Sequence, residues 1–172
     1  MPGFIHIYCG DGKGKTTAAT GLALRAACSG MNVVFTQFFK NGRSSEIRGL
    51  SKFKNIRLMH CPQNYGLWKR MTEQQRLQAK QDYSKLLEIA LDASKTADLL
   101  ILDEVISACN HETISEDVVY AFLKQKPENL EVVLTGRNPS ARLLDLGDYV
   151  TKMEKIKHPF DRGIPARKGI EF

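Results

Sequence analysis

The chain carries its densest chemistry near its start, in Gly10-Asp11-Gly12-Lys13-Gly14-Lys15-Thr16-Thr17. Three glycines in five positions let the backbone fold so that successive N–H groups converge on phosphate oxygens, and a helix starting there adds partial positive charge. Lys15 supplies a point charge. The Thr16 hydroxyl is placed to complete the shell of a hard cation such as Mg2+ or Mn2+, which takes oxygen ligands and keeps several waters. The generic pattern has a further glycine where Cys9 stands, so the loop is a variant. A plain glycine turn could hold two lysines, but an apolar strand before it and an alanine-rich helix after it supply the context a phosphate loop requires.

Downstream, Leu99-Leu100-Ile101-Leu102-Asp103-Glu104 is an apolar run ending in two carboxylates. Many buried strands end in an acid; behind a phosphate loop, this one reads as the second nucleotide element, with Asp103 and Glu104 near the metal. A later strand ends in Thr135-Gly136-Arg137. There the Arg137 guanidinium either clamps phosphate oxygens or closes a helix start as a surface charge, and Gly136 favours the first by letting backbone approach a ligand. His6, His60, His111 and His158 form no four-ligand zinc spacing with the cysteines.

These residues need a scaffold. Strands are expected at Phe4–Cys9, Asn32–Phe38, Ile56–His60, Leu99–Asp103, Glu131–Thr135 and Tyr149–Ile156. Helices are expected at Lys15–Ser29, from a Thr72/Gln75 capping box to about Lys95, from Ser115 to Pro127, and briefly after an Asn138-Pro139 start. Residues 40–50 read as a basic, glycine-containing loop. Strands regularly separated by helices imply an α/β fold, a largely parallel sheet covered on both faces, with ligands at the carboxyl ends of the strands.

With 172 residues, 42% of them hydrophobic, a single domain over 1–172 is expected. No apolar run reaches membrane-spanning length and no leader pattern is visible, so a cytoplasmic protein with four reduced cysteines and no membrane partner is expected. The net charge of +6 is uneven: residues 40–80 hold ten Lys or Arg against two acids, and 81–151 hold six against thirteen. That belt reads equally as an anion-binding surface or as a solvated face.

Taken together, these elements resemble the ATP:corrinoid adenosyltransferases of the CobA/BtuR/CobO type over nearly the whole chain. The resemblance is carried by the loop with Ala18, Ala19 and Arg25 behind it, Gln37-Phe38, Leu102-Asp103-Glu104, Leu134-Thr135-Gly136-Arg137, and the tail Lys157-His158-Pro159-Phe160-Asp161-Arg162-Gly163 through Gly169-Ile170-Glu171-Phe172. It implies a homodimeric, single-domain P-loop fold similar to RecA. In this fold the cobalt(I) of a reduced corrinoid attacks the 5′-carbon of ATP and expels triphosphate. Acceptors include cobyrinic acid diamide, cobinamide and cobalamin, and an electron donor must reduce the cobalt. By position, Gly10, Asp11, Gly12, Lys13, Gly14, Lys15, Thr16 and Thr17 would cradle the triphosphate. Thr16, Glu104 and Asp103 would serve magnesium, while Arg25 and Arg137 would contact phosphates.

Relatives use apolar and aromatic residues near 63–68 to displace the lower axial ligand of cobalt, which gives Trp68, and to a lesser degree Tyr65, a catalytic role by resemblance; from the sequence alone both read first as packing residues. Two departures are expected to matter. The N-terminal extension that often closes over the site is missing or replaced, and Asp11 stands where many relatives have asparagine, setting a carboxylate beside the triphosphate. The competing reading is a RecA-like ATPase or nucleic-acid-binding module using the basic 40–80 region. It leaves the tail unexplained, and the chain shows few aromatics of the kind that stack single strands, so no nucleic-acid partner is expected.

Overall fold

Five-residue runs, several buried on both faces, set the architecture. The computed structural model describes residues 2–40, 42, 44–63, 65 and 71–171. Among them six strands form one sheet: β1 Ile5–Cys9, β2 Val33–Gln37, β3 Ile56–His60, β4 Leu99–Asp103, β5 Glu131–Thr135 and β6 Tyr149–Lys152. Their order is β3-β2-β4-β5-β1-β6 and every pairing is parallel. In β4, Leu99 to Leu102 are all essentially inaccessible, and each such side chain contributes about 1.5–3 kcal/mol of burial.

Alternate strand residues feed two cores, as the period-2 pleat requires. On one face Val33, Phe35, Leu99, Ile101 and Val133 meet helix α1, Lys15–Cys28, through Ala19, Ala23, Ala26 and Ala27. Alanines there let the helix lie close to the sheet. On the other face Ile5, Ile7, Val34, Leu100, Leu102, Val132 and Leu134 meet α3, Glu73–Ala93, and α5, Glu116–Gln125. The α/β class with helices on both faces is thus realised.

Helix α3 begins in the anticipated capping box, with Thr72 and Gln75 exchanging side-chain and backbone hydrogen bonds. Elsewhere the expectations need correction. Residues 40–50 are not all loop, because α2 occupies Ser45–Leu50, and α4, Val105–Asn110, starts directly behind β4. Both are six residues long, too short for a periodic pattern to register. The last helix, α6 at Ala141–Leu144, is capped by Ser140, whose hydroxyl accepts from Leu143 N, rather than by Asn138. Asn138 instead takes φ 49°, and its carbonyl and that of Arg137 accept from Asn110 Nδ2. Strand β6 ends four residues early because the chain turns at Met153 to meet the phosphate loop. No described helix is long and apolar enough to cross a membrane.

Candidate nucleotide-binding site

The loop between β1 and α1 is held from behind. Gly12 N donates to Met153 O at 2.7 Å, and Met153 N donates to Cys9 O at 2.8 Å. A Cβ at Gly10 would lie 2.3 Å from Met153 O and one at Gly12 would lie 2.7 Å from it, so only glycine permits this approach. Gly14 opens α1 at φ 117° with no side-chain cap, leaving the first-turn N–H groups for a ligand. Lys15 is buried and donates to Gly12 O at 2.8 Å, curling back over its own loop. Burial lowers its pKa, the Glu104 carboxylate opposes that fall, and Arg137 adds to it.

The second element converges on the same place through sheet order. Strand β4 lies between β2 and β5, so residues at all three strand ends reach Asp103. Its carboxylate is fully buried and accepts four donors: Thr16 Oγ1 at 2.9 Å and Thr135 Oγ1 at 2.7 Å on Oδ1, Gln37 Nε2 at 3.2 Å and Lys40 Nζ at 2.8 Å on Oδ2. Lys40 Nζ also donates to Thr16 Oγ1 at 2.9 Å. An ammonium therefore bridges the hydroxyl and the carboxylate expected to serve a divalent cation. Gln37 Oε1 is buried beside them without a partner among the described residues. Oxygens gathered around a resident positive charge have the donor chemistry of Mg2+ or Mn2+, so these residues fit the cation.

Glu104 lies alongside in the left-handed region, φ 64°. Its N–H donates to Thr135 Oγ1 at 2.9 Å, and its Oε2 accepts from Ser107 Oγ at 2.6 Å. Thr135 thus ties both acidic residues to β5. Gly136 is required within the fold itself, since a Cβ there would lie 2.7 Å from Ile106 Cβ and 2.8 Å from Ser107 N of α4. Arg137 sits on the rim, lining a cavity of about 450 Å3 with Asp11, Lys155 and His158.

The C-terminal tail completes the mouth. Lys155 N donates to Asp11 Oδ1 at 3.2 Å, the main cause of a lowered Asp11 pKa. The Asp11 carboxylate therefore fastens the tail instead of simply confronting a phosphate. Glu171, gripped by the backbone and guanidinium of Arg167, places a carboxylate 3.8 Å from Lys13 Nζ. Gly169, Ile170 and Glu171 wall a cleft of about 430 Å3 with Thr16, Thr17 and Lys40.

Not every expected residue joins this cluster. Arg25 is exposed in the last turn of α1, ten residues past Lys15, about 15 Å along the axis. Trp68 lies outside the described residues. Tyr65 packs against Tyr83, ring centroids 6.0 Å apart, and its hydroxyl donates to Asp82, so it is fastened to α3. Phe39 meets Tyr83 and His111 edge-on at 5.3 and 5.7 Å, adding aromatic surface at the same strand ends. Lys40 was missed by sequence reasoning; its only signal was its place three residues beyond β2 in a basic stretch.

A glycine loop opening a helix at the end of a central parallel strand, with a buried carboxylate on its threonine, defines a P-loop nucleotide-binding protein. The fold agrees: the chain superimposes on EssC (ATPases 2 and 3) from Geobacillus thermodenitrificans with TM-score 0.55 and 12% identity, covering 97% of this chain and 35% of that one. Within that class, residues 1–172 match the family ATP:corrinoid adenosyltransferase BtuR/CobO/CobP, and the chain belongs to it. A corrinoid adenosyltransferase of Sinorhizobium sp. is 34% identical over 99% of this chain and 80% of its own length. That of Pseudomonas aeruginosa is 33% identical over 99% and 84%. Corrinoid adenosyltransferase CobA of Salmonella typhimurium is 30% identical over 99% and 86%.

Proposed function

We propose that the protein transfers the 5′-deoxyadenosyl group of ATP to the cobalt of a reduced corrinoid and releases triphosphate. The observation that supports this most is the makeup of the site. Its donors, Lys15, Arg137 and the N–H groups opening α1, are suited to a polyphosphate, and the hydroxyls paired with its carboxylates, Thr16 with Asp103 and Ser107 with Glu104, are not needed as nucleophiles in this reaction. Cobalt(I) needs no base to activate it. Its electron pair forms the bond to C5′, the C5′–O5′ bond breaks, and that electron pair leaves with the triphosphate. The chain's task is then orientation and stabilisation of charge on the leaving group.

In this reading Lys15 neutralises the departing phosphates, and Gly12 to Thr17 fix their position. Arg137 closes the site from the β5 side. Thr16, Asp103 and Glu104 hold magnesium or manganese, which when bound withdraws charge from the phosphate oxygens. Half-buried Phe39 and Tyr65, backed by the buried Tyr83, offer an apolar wall for a corrinoid. Cobyrinic acid diamide, cobinamide and cobalamin are the acceptors proposed, with a separate electron donor to reach cobalt(I). A cytoplasmic homodimer and one domain over 1–172 belong to the same proposal; the single sheet joining both ends of the chain supports the latter.

Phosphorus NMR of the products tests it. Incubation with ATP and chemically reduced cobalamin or cobinamide should yield triphosphate only when the corrinoid is present. ADP and orthophosphate, formed without corrinoid and stimulated by nucleic acid, would instead establish the RecA-like ATPase.

A further inference from the structure

Asp103 has no free acceptor position. Each of its oxygens takes two donors, and the carboxylate is buried. A divalent cation held by Asp103 and Thr16 must therefore displace one of the four. Thr16 is fixed in α1, Gln37 in β2 and Thr135 in β5. Lys40 alone lies outside regular structure, and its side chain is 27% exposed. It also occupies the Thr16 oxygen that a cation would use. Two positive charges sharing these oxygens would repel each other strongly.

We infer that Lys40 is an internal counter-ion, a positioning residue that keeps the Thr16–Asp103 pair in place and exchanges with the divalent cation. This rests on the phosphate-loop reading of the site. Without Lys40, a buried carboxylate would lose the one cation hydrogen-bonded to it among the described residues, leaving only the more distant charge of Lys15. On exchange the ammonium has somewhere to go, because Lys40 itself lines the 430 Å3 cleft together with Thr17, Thr20, Glu46 and Glu171. A side-chain rotation turns it towards Glu46 and Glu171 in that cleft, so one positive charge is always on Asp103 and the displaced one finds carboxylates nearby.

The test compares wild type, Lys40→Met and Lys40→Arg, without nucleotide, by thermal unfolding in chelator and by electron paramagnetic resonance titration of Mn2+. Lys40→Met should melt about 5 °C lower in chelator and bind Mn2+ on the order of tenfold more tightly than wild type, and Mn2+ should restore its melting point. Lys40→Arg, which keeps the charge, should melt like wild type and bind Mn2+ no more tightly. Equal Mn2+ affinity in wild type and Lys40→Met, or equal melting in chelator, would overturn the exchange. If Lys40→Met folds only in Mn2+ the inference stands; failure to fold under both conditions assigns Lys40 a purely structural role and overturns it. Absence of triphosphate from the wild-type reaction would count against the proposed activity and leave the Mn2+ comparison valid.

Discussion

Lys15 places an ammonium where burial opposes charge, tethered to Gly12 O and balanced by the Glu104 carboxylate. Because its folded pKa lies below 10.5, the unfolded chain holds this proton more firmly than the folded one. This residue therefore makes the fold gain stability as pH rises through the lowered value towards 10.5. A bound triphosphate reverses the balance, so ATP binding at alkaline pH should take up protons. Calorimetry at one alkaline pH in two buffers of different ionisation enthalpy should show binding heats that differ accordingly in wild type and not in Lys15→Ala. Lys15→Ala should also lose about 10²–10³-fold in adenosyl transfer, with an unchanged circular dichroism spectrum. Near-normal turnover in a folded variant would mean that Lys15 does not face the leaving group.

At the level of elements, the loop depends on what lies behind it. Gly12→Ala would drive a Cβ into Met153 O, forcing β1–α1 away from the segment after β6. Its ATP affinity should fall at least tenfold, measured by calorimetry, while the melting point drops by only a few degrees; unchanged affinity would show that the Met153 contact does not shape the loop. This contact was not legible in the sequence. Strand β1, the glycine loop, α1 and the acidic end of β4 could all be read, because each is a local pattern of period, glycine and charge. Asp103 was anticipated for the same reason. What could not be read depends on which strands become neighbours. Lys40 reaches Asp103 only because β2 lies beside β4, Thr135 because β5 does, and Met153 reaches Gly12 only because β6 pairs with β1. Helices α2 and α4, at six residues each, are set by tertiary placement rather than periodicity. In α4 the first helical residue follows a left-handed Glu104 that no capping preference announces.

Across the whole molecule, β1 is the strand with the most distant partners. It is flanked by β5 and β6, both from the last third of the chain, whereas β2 lies between β3 and β4, both nearer to it in sequence. Contacts of such long separation close late, since loop entropy must be overcome first. Pulse-labelled hydrogen exchange during refolding should find the β2 and β4 amides protected before those of β1; simultaneous protection would show that the sheet forms as one unit. On the ribosome the order of synthesis runs against this order of assembly. The glycine loop leaves the exit tunnel first but must stay exposed until residues 149–153 follow. A nascent chain therefore lacks the buttressed loop until residue 153 has emerged, and ligand can assist folding only from that point on. The apolar β1, unpaired until residues 131–135 emerge, is the segment through which a chaperone would grip this protein.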